Sequence, residues 1–475
     1  MFAKNIRSVL VLTLVLGLLA ACGGQAAPTP APAEKEQPAA TEEAVAEQPA
    51  ATEEAAEEPA ATEEAAAEAP AEPGTLQVWV AWGDNPAQLQ ELFNKYGEAN
   101  NVKVQVNAPV PEDKIIAGLS GSQPPHVLVL GGPDNVPGWT NEGLLAPLDE
   151  IISASNIDKA DILPAVLSQC AYKGDHYCLP WGTDTYAFYW NKDLFEEAGL
   201  DPEKPPQTLE ELAEYADKLT KVDANGEITQ IGFIPDFSWP HFEQYIPMFG
   251  GFWISDDGTK IQLDSQPVID ALKWEQQFYS KYGADKVLKF TSSLGEYGSP
   301  QHGFMGSKVA MMVDGEWMTG PNFIQGLKPD LYYGVAPLPP PADHPDRAGT
   351  NTLQGSVAVI PSGVADKAAA GKLLAWMMSP EIVAEEMVAN FNLPSSAKAA
   401  QDPRFQENEK FKVFLELSKS PNTRSIVLNA VHSDILTELN RIHEQVVHGG
   451  QDPEPLLKEM QAKLQTELDK ALSEK

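Results

Sequence analysis

The stretch KGDHYCLPWGTDTYAFYWNKDLFEEAGLDPEKPPQTLEEL, residues 173–212, carries most of the information about the fold. Its middle part, AFYWN (187–191), is aromatic and apolar, which predicts a buried strand. Its last residues begin TLEELAEYADKL (208–219), whose apolar residues recur at helical spacing and predict a helix. A strand followed by a helix is the repeating unit of a sheet that is covered by helices.

The same pattern occurs upstream of this stretch. TLQVWVAW (75–82) and VKVQVN (102–107) are predicted strands, and residues 86–100 between them have helical spacing with a proline at the start. A short helix in PEDKIIAGLSG and a buried strand in HVLVLGG (126–132) follow. This order predicts a mostly parallel sheet, in which ligands bind beyond the carboxyl ends of the strands. The residues expected at that edge are Trp82, Asp84, Gly131, Gly132 and Asp134.

Downstream, the pattern predicts a second α/β unit. Its predicted elements are the strand ITQIGFIP (228–235), the helix 267–283 and the strand VAMMV within FMGSKVAMMVDGEWM (304–318). The strand SVAVI (356–360) and one long helix over 368–389 then repeat the strand-and-helix order, and the last 50 residues read as helical. Two α/β lobes fit this length.

The N-terminus reads as a targeting segment. Lys4 and Arg7 precede an apolar run over 9–19, which is too short to span a membrane. Leu19-Ala20-Ala21-Cys22 resembles the lipobox of bacterial lipoproteins, in which the cysteine is acylated and becomes the mature N-terminus. We therefore expect a signal peptide over 1–22 and a lipid on Cys22; a plain secretory peptide is the alternative. No other stretch is apolar enough to span a bilayer, so we expect the lipid to be the only anchor.

Residues 23–74 are of low complexity. An imperfect unit, QPAATEEAVAE, recurs three times, and the segment holds 13 glutamates against one lysine. With almost no large apolar side chain, it cannot offset the conformational entropy that folding removes. We expect an acidic, disordered tether that spans on the order of 40 Å as a random coil.

Charge and cysteine content restrict the function of the remaining residues, 75–475. The whole chain has a formal net charge of −35, which argues against nucleic acid or an anionic membrane surface as partner. Cys170 and Cys178 bracket a Lys-Gly-Asp turn, and in an exported chain we expect them to form a disulfide across a short hairpin. Metal ligation by these cysteines and His176 is the alternative.

Several motifs resemble known metal or catalytic sites. HEQVVH (443–448) resembles a zincin motif with one residue too many, and side chains five apart on an α-helix diverge by roughly 140°, so we expect no shared metal. KVDANGEIT (221–229) and SDDGTKIQLD (255–264) lack essential positions of calcium loops and are predicted turns. Spacing alone does not exclude a glycosidase carboxylate pair. We expect no cofactor and no metal.

The opening stretch and three others, in order, resemble the extracellular solute-binding proteins of family 1, the maltose-type receptors of ABC importers. Residues 173–212 are similar to the family's Gly-x-x-Tyr-x-x-Pro strand and the Phe-x-x-Ala-Gly-Leu segment that follows it. FMGSKVAMMVDGEWM (304–318) is similar to Phe-x-x-Gly-x-x-Ala-Met-x-x-x-Gly-x-Trp, and YGVAPLPPP (333–341) and LPSSAKA (393–399) are similar to its proline-containing strand and loop. The resemblance covers nearly all of 75–475.

The resemblance implies an α/β, two-lobed periplasmic-binding-protein fold of type II, a Venus flytrap, with three interlobe crossings. The crossings are expected near 183–187, 353–356 and 401–406. The N-lobe would then comprise 75–183 and 356–402, and the C-lobe 187–353 and 407–475.

The resemblance also implies a ligand site in the cleft between the lobes and no catalysis. In such a cleft the Trp317 indole can stack on a sugar ring, and Asp184 matches a carboxylate that binds sugar hydroxyls. The further expected contacts are Trp82, Asp84 and Asp134, with Trp181 and Trp239 as weaker candidates. Carboxylates and flat aromatic faces suit a carbohydrate.

The sequence therefore predicts a monomeric, lipid-anchored receptor outside the cytoplasm, at the cell surface or in the periplasm, that delivers a sugar to the permease subunits of an ABC importer. The alternatives are a secreted carbohydrate-active enzyme, a sensory or adhesive lipoprotein, and a receptor for a non-sugar solute such as a polyamine.

Overall fold

The computed structural model describes residues 74–83, 85–238 and 242–473. These described residues belong to one compact unit. The predicted signal peptide, Cys22 and the tether lie outside the described residues. None of the described helices combines the length and the apolar character that a bilayer-spanning helix needs.

The described residues form two five-stranded sheets and three two-stranded pairs. The strands are β1 (Thr75–Val80), β2 (Lys103–Asn107), β3 (Val127–Leu130), β4 (Ala171–Tyr172), β5 (Asp175–His176), β6 (Leu179–Pro180), β7 (Gly182–Thr183), β8 (Tyr186–Asn191), β9 (Lys221–Val222), β10 (Ile228–Phe233), β11 (Val309–Gly315), β12 (Tyr333–Ala336), β13 (Asn351–Leu353), β14 (Val357–Val359), β15 (Leu393–Pro394) and β16 (Thr423–Ser425).

Helices cover these sheets. The α-helices of the described residues are α1 (Pro86–Asn100), α2 (Glu112–Leu119), α3 (Val136–Asn141), α4 (Asp149–Ala154), α5 (Pro164–Leu167), α6 (Lys192–Glu197), α7 (Leu209–Leu219), α8 (Gln266–Tyr282), α9 (Ala284–Thr291), α10 (Ile324–Leu327), α11 (Lys367–Met377), α12 (Pro380–Asn390), α13 (Glu409–Leu417), α14 (His432–His443) and α15 (Pro453–Ser473). Short 3₁₀ turns include Glu316–Thr319, and a π-helical turn, Glu444–His448, follows α14.

The first sheet has the strand order β2-β1-β3-β14-β6. Strands β2, β1 and β3 are parallel, as the strand-and-helix order predicts. Strand β14 pairs antiparallel with β3, because the chain re-enters this sheet from the opposite direction after building the second one. The four residues of β3 are all buried, which fits its continuous apolar sequence in the middle of the sheet.

The second sheet has the order β12-β8-β11-β10-β9 and mixes both directions. Strand β8, from the opening stretch of the sequence, lies between β12 and β11 and pairs antiparallel with both. All six of its residues are buried. This explains why its sequence shows no alternation between polar and apolar side chains.

Local sequence signals account for the ends of the helices. Asn85 accepts a hydrogen bond from the Gln88 backbone amide at the start of α1, and Thr208 does the same for Glu211 at the start of α7. The prediction of one long helix over 368–389 is wrong, because the chain forms two helices there, α11 and α12. Pro380 has no backbone N–H to continue α11, and it occupies the first turn of α12 instead.

Two further predictions concern the cysteines and the histidine motif. Cys170 and Cys178 are joined by a disulfide across the hairpin of β4 and β5, whose turn residues Lys173 and Gly174 both have positive φ. The prediction that the HEQVVH histidines diverge is wrong, since the chain is π-helical rather than α-helical after His443.

The chain passes between the two sheets through short strands. Strand β6 belongs to the first sheet and β8 to the second, with β7 between them paired to β15. Strand β13 pairs with β16 between β12 of the second sheet and β14 of the first. The residue bounds predicted for the two lobes stay a prediction.

Candidate functional site

Trp82 lies directly beyond the carboxyl end of β1, at the edge where the parallel strands of the first sheet end. It keeps part of its surface exposed, and its ring stacks on Trp181 with centroids 6.5 Å apart and planes inclined by 24°. Trp181 has no exposed surface and also packs against Phe93 at 6.2 Å. Trp181 therefore supports the ring of Trp82 from beneath, and Trp82 is the tryptophan of this pair that faces outward.

Asp134 follows the neighbouring strand β3 and is held in place from two sides. Its Oδ2 accepts a hydrogen bond from Gln354 Nε2 at 2.9 Å, and its Oδ1 lies 3.0 Å from His432 Nε2. The Asp134 side chain is 27% exposed, whereas that of His432 is fully buried. A Cβ at Gly132 would lie 2.5 Å from Gln354 Nε2, so a larger residue there would displace the Gln354 amide from its present position. The result is a fixed carboxylate that still reaches solvent.

Asp184 lies on the segment that joins the two sheets. Its backbone forms an isolated bridge with Gln354, and its Oδ1 accepts a hydrogen bond from Asn392 Nδ2 at 3.3 Å. Gln354 thus contacts Asp184 through its backbone and Asp134 through its side chain. Two carboxylates that the sequence singled out are therefore joined through one residue.

Glu316 is a buried carboxyl group beside this crossing segment. Its Oε2 accepts from the Thr185 amide and its Oε1 from the Leu393 amide, both at 3.1 Å. Burial raises the pKa of Glu316 well above its usual range, and the nearby charge of Asp184 raises it further. The side chain connects two segments that run between the sheets, Thr185 just before β8 and Leu393 at the start of β15.

Trp317 is the next residue and is largely buried, with 8% of its surface exposed. Its ring meets Tyr186 edge-on at 6.0 Å, and its Nε1 donates to the Tyr297 hydroxyl at 2.6 Å. A Cβ at Gly315 would overlap the indole, so the ring lies flat against the backbone there. Trp317 thus presents only a small part of its surface, while Tyr297 beside it is 37% exposed.

Asp314 contacts the same tyrosine, Tyr297, that accepts the hydrogen bond from Trp317. Its carboxylate accepts hydrogen bonds from the Ser238 hydroxyl, the Gly315 amide at 2.7 Å and the Tyr297 hydroxyl at 3.1 Å. It has no exposed surface, and this burial raises its pKa to about 7 despite the hydrogen bonds that lower it. A continuous hydrogen-bond chain therefore runs from Trp317 through Tyr297 to Asp314.

Three consecutive residues link these groups across the crossing segment. Asp184 bonds to Gln354, Thr185 to Glu316, and Tyr186 packs on Trp317. Through them Asp134, Asp184 and Trp317 belong to one connected set, and Trp82 with Trp181 lies at the same sheet edge as Asp134. The predicted contacts Asp84 and Trp239 lie outside the described residues.

Sequence reasoning missed several members of this set. Gln354 falls within the crossing predicted at 353–356, so its position in the sequence could have identified it as part of the site. The sequence does not identify Tyr297, His432 or Asn392, because they reach the site from distant parts of the chain. The set offers carboxylates, amides and aromatic faces, which is the composition that binds neutral, hydroxyl-rich compounds.

Comparison with known proteins places these observations in context. The family described as bacterial extracellular solute-binding protein matches residues 81–384. The chain is 24% identical over 344 residues to maltotriose-binding protein of Pyrococcus abyssi (strain GE5 / Orsay), an alignment that covers 70% of this chain and 69% of that one.

Solved structures give the same result. The chain is 28% identical to the protein CpMnBP1 with mannotriose bound, at a TM-score of 0.75, covering 82% of this chain and 99% of that one. An ABC transporter solute-binding protein from Thermotoga lettingae, bound with α-D-tagatose, has a TM-score of 0.68 at 23% identity, covering 83% of this chain and 99% of that one. The predicted two-lobed α/β fold of type II is confirmed by this similarity together with the two sheets described above.

Proposed function

Since this chain belongs to the bacterial extracellular solute-binding protein family, we propose that it is the extracytoplasmic receptor of an ABC importer and that it binds a sugar or a short oligosaccharide between its two lobes. The observation that carries the choice of solute is the outward ring of Trp82, stacked on a buried tryptophan and lying at the same sheet edge as the fixed carboxylate of Asp134. The closed, loaded receptor then delivers the sugar to the permease subunits.

The physical basis is the mixed surface of a sugar ring. Its C–H face is apolar and packs on a flat aromatic ring, while its hydroxyls need hydrogen-bond acceptors and donors. The supported ring of Trp82 supplies the first, and the carboxylate of Asp134 supplies acceptors that can hold two hydroxyls. Because Gln354 and His432 already hold Asp134, little freedom is lost when a ligand binds to it.

The C-lobe would supply the opposite wall of the site. We assign this role to Trp317 with its exposed neighbour Tyr297, and to Asp184 at the crossing segment. Asp84 and Trp239 are assigned as further contacts on sequence grounds. Trp181 is assigned an indirect role, because it touches the ligand only through Trp82.

Several relatives are named for oligosaccharides, which supports that class of solute. One relative is named for maltotriose, and CpMnBP1 holds mannotriose in one structure and mannobiose in another. A ligand that touches both lobes stabilises the closed arrangement only by its difference in affinity for the closed and open states. Residues on both lobes are therefore expected to matter for affinity.

A thermal-shift screen of residues 69–475 tests the proposal. The probes are manno- and malto-oligosaccharides, monosaccharides, amino acids and polyamines. A bound sugar at 100 times its dissociation constant should stabilise the fold by about 2.7 kcal/mol, which raises the melting temperature measurably. Trp82→Ala should abolish most of that ligand-induced rise, because the sugar loses its stacking surface.

Trp79→Ala is the matched control for Trp82→Ala. Trp79 lies in the same strand, but its ring packs against Gly118 of α2, away from the strand end. Both variants should melt lower than the parent, and only the Trp79 variant should keep the sugar-induced rise. A polyamine response would retain a receptor and reject the sugar, and no response to any class would favour the sensory or adhesive alternative. Release of new reducing ends from the bound sugar would reveal an enzyme.

A further inference from the structure

A group of titratable side chains in the second lobe takes no part in the proposed ligand site. Asp236 follows strand β10, and His443 and His448 stand at the two ends of the π-helical turn after α14. One ligand atom from each of the three side chains can be chosen so that all three lie within 4.8 Å of one another. They make up the Asp-His-His cluster.

The π-helical turn is what brings the two histidines together. On an α-helix, side chains five residues apart diverge by roughly 140°. The π turn Glu444–His448 closes its hydrogen bonds across five residues, so His448 returns to the face that His443 occupies. Their ring centroids are 5.5 Å apart. Such turns are rare and occur often at functional sites.

A second layer of side chains holds the cluster in place. Glu275, on α8, has no exposed surface, and its Oε2 lies 2.7 Å from His443 Nε2. The Tyr279 hydroxyl, one turn further along α8, donates to Asp236 Oδ1 at 2.5 Å. A carboxylate on the far nitrogen of a histidine is the usual support of a metal-binding imidazole, because it fixes the ring and makes the other nitrogen more basic.

One atom of this layer has no partner in the part of the chain that the structure describes. The other oxygen of Glu275, Oε1, is buried and accepts no hydrogen bond from any described residue. An unpartnered buried carboxylate oxygen is costly, and it adds negative charge beside Asp236. A bound cation would compensate both groups.

The cluster is also within reach of an ion in solution. The side chains of Asp236, His443 and His448 are 20%, 9% and 23% exposed. His448 Nε2 lies 2.9 Å from Asp236 Oδ2, close to the spacing of two ligands on one small ion.

We propose that Asp236, His443 and His448 bind one divalent transition-metal ion, with zinc the best match. Two imidazoles and one carboxylate are donors that zinc, copper and nickel prefer, whereas calcium and magnesium prefer oxygen alone. Three protein ligands leave one position of a tetrahedral ion to water. Glu275 acts as the positioning residue behind His443. The ion would join the loop after β10 to the C-terminal helices.

The competing explanation is two ion pairs, Asp236 with His448 and Glu275 with His443, without any metal. Isothermal titration of EDTA-treated, tag-free residues 69–475 with zinc chloride separates the two. One equivalent of bound zinc is expected for the parent chain, and none at that site for His448→Ala or for Asp236→Asn, which keeps the size of the side chain. His344→Ala is the control, because His344 is a solvent-exposed histidine outside the cluster.

Two further measurements keep the proposal falsifiable should an alanine variant fold poorly. Cobalt added to the parent chain should give the strong visible absorption of a four-coordinate site, and Glu275→Gln should weaken zinc binding by about 10- to 100-fold without abolishing it. Zinc binding that persists in a His443→Ala, His448→Ala double variant would overturn the proposal. Absence of zinc binding by the parent chain, or binding of calcium in preference to zinc, would also overturn it.

Discussion

The buried carboxyl group of Asp314 should make the stability of the fold depend on pH. It is fully buried, and its pKa is raised from an ordinary value near 4 to about 7, chiefly because burial disfavours the charged form. Between these two pH values the folded protein holds a proton that the unfolded chain has released. Its contribution to stability is therefore complete below about pH 4 and is lost as the pH rises to about 7, at about 1.4 kcal/mol per pH unit.

Asp314→Asn should remove this dependence. Asparagine keeps the oxygen that accepts from Gly315 and Tyr297, and its amide can donate to Ser238. We expect the free energy of unfolding of the variant, measured by urea titration at several pH values, to rise relative to the parent as the pH goes from 4 to 7. Parallel curves for the two proteins would show that Asp314 does not titrate in this range. Glu316, another buried carboxyl group with a raised pKa, is present in both proteins. The difference between their free energies of unfolding therefore reports on Asp314.

The residue scale also shows where sequence reasoning reaches its limit. The resemblance to the family marked Trp317 as part of the site, but the sequence could not show that the indole lies against Gly315 and is 8% exposed. His432 holds Asp134 from a helix almost three hundred residues away, and no local pattern indicates this. Contacts between distant segments follow from tertiary structure and not from spacing.

At the scale of elements, the hairpin of β4 and β5 carries a testable contribution to stability. Cys170 and Cys178 close a loop with a sequence separation of 8, and both are buried. A loop of this size is expected to stabilise the fold by about 2–3 kcal/mol, because the cross-link removes conformations from the unfolded chain.

The double variant Cys170→Ala, Cys178→Ala should lose about that amount in urea unfolding. The parent chain in a reducing buffer should move toward the variant, while the variant should not respond to the reductant. If reduction left the parent unchanged, the disulfide would carry no net stability. This comparison separates the cross-link from the loss of two buried side chains.

Element types were predictable to the extent that local signals were unambiguous. Alternating or continuous apolar runs identified β1, β2, β3, β8 and β11, and helical spacing placed α1 and α7 within a residue or so. Pro380 was a visible break inside the helix predicted over 368–389, and its meaning becomes clear from the separate packing of α11 and α12. The π turn after α14 could not be foreseen, since its backbone depends on contacts with α8 such as Gln276 to Val446.

At the scale of the whole molecule, the lipid that we propose on Cys22 would determine where the receptor works. Metabolic labelling with a palmitate analogue should mark the full chain, and Cys22→Ser should abolish both the label and sedimentation with membranes. The acylation enzyme needs a thiol, and serine provides none. Cys170 and Cys178 are buried in their disulfide and serve as the internal control, since they should take up no label. Membrane attachment that survives Cys22→Ser would point to a different anchor.

The antiparallel strand β14 has a consequence for the timing of folding. It lies between β3 and β6 in the first sheet, yet it follows every strand of the second sheet in the chain. During synthesis β1, β2 and β3 are therefore made long before β14, a strand that pairs with β3. Pairing between segments so far apart is slow. We expect a chain that cannot complete its first sheet early to stay unfolded for longer, and an unfolded chain is the form that can be threaded across a membrane. The topology that builds the two sheets would then also favour export.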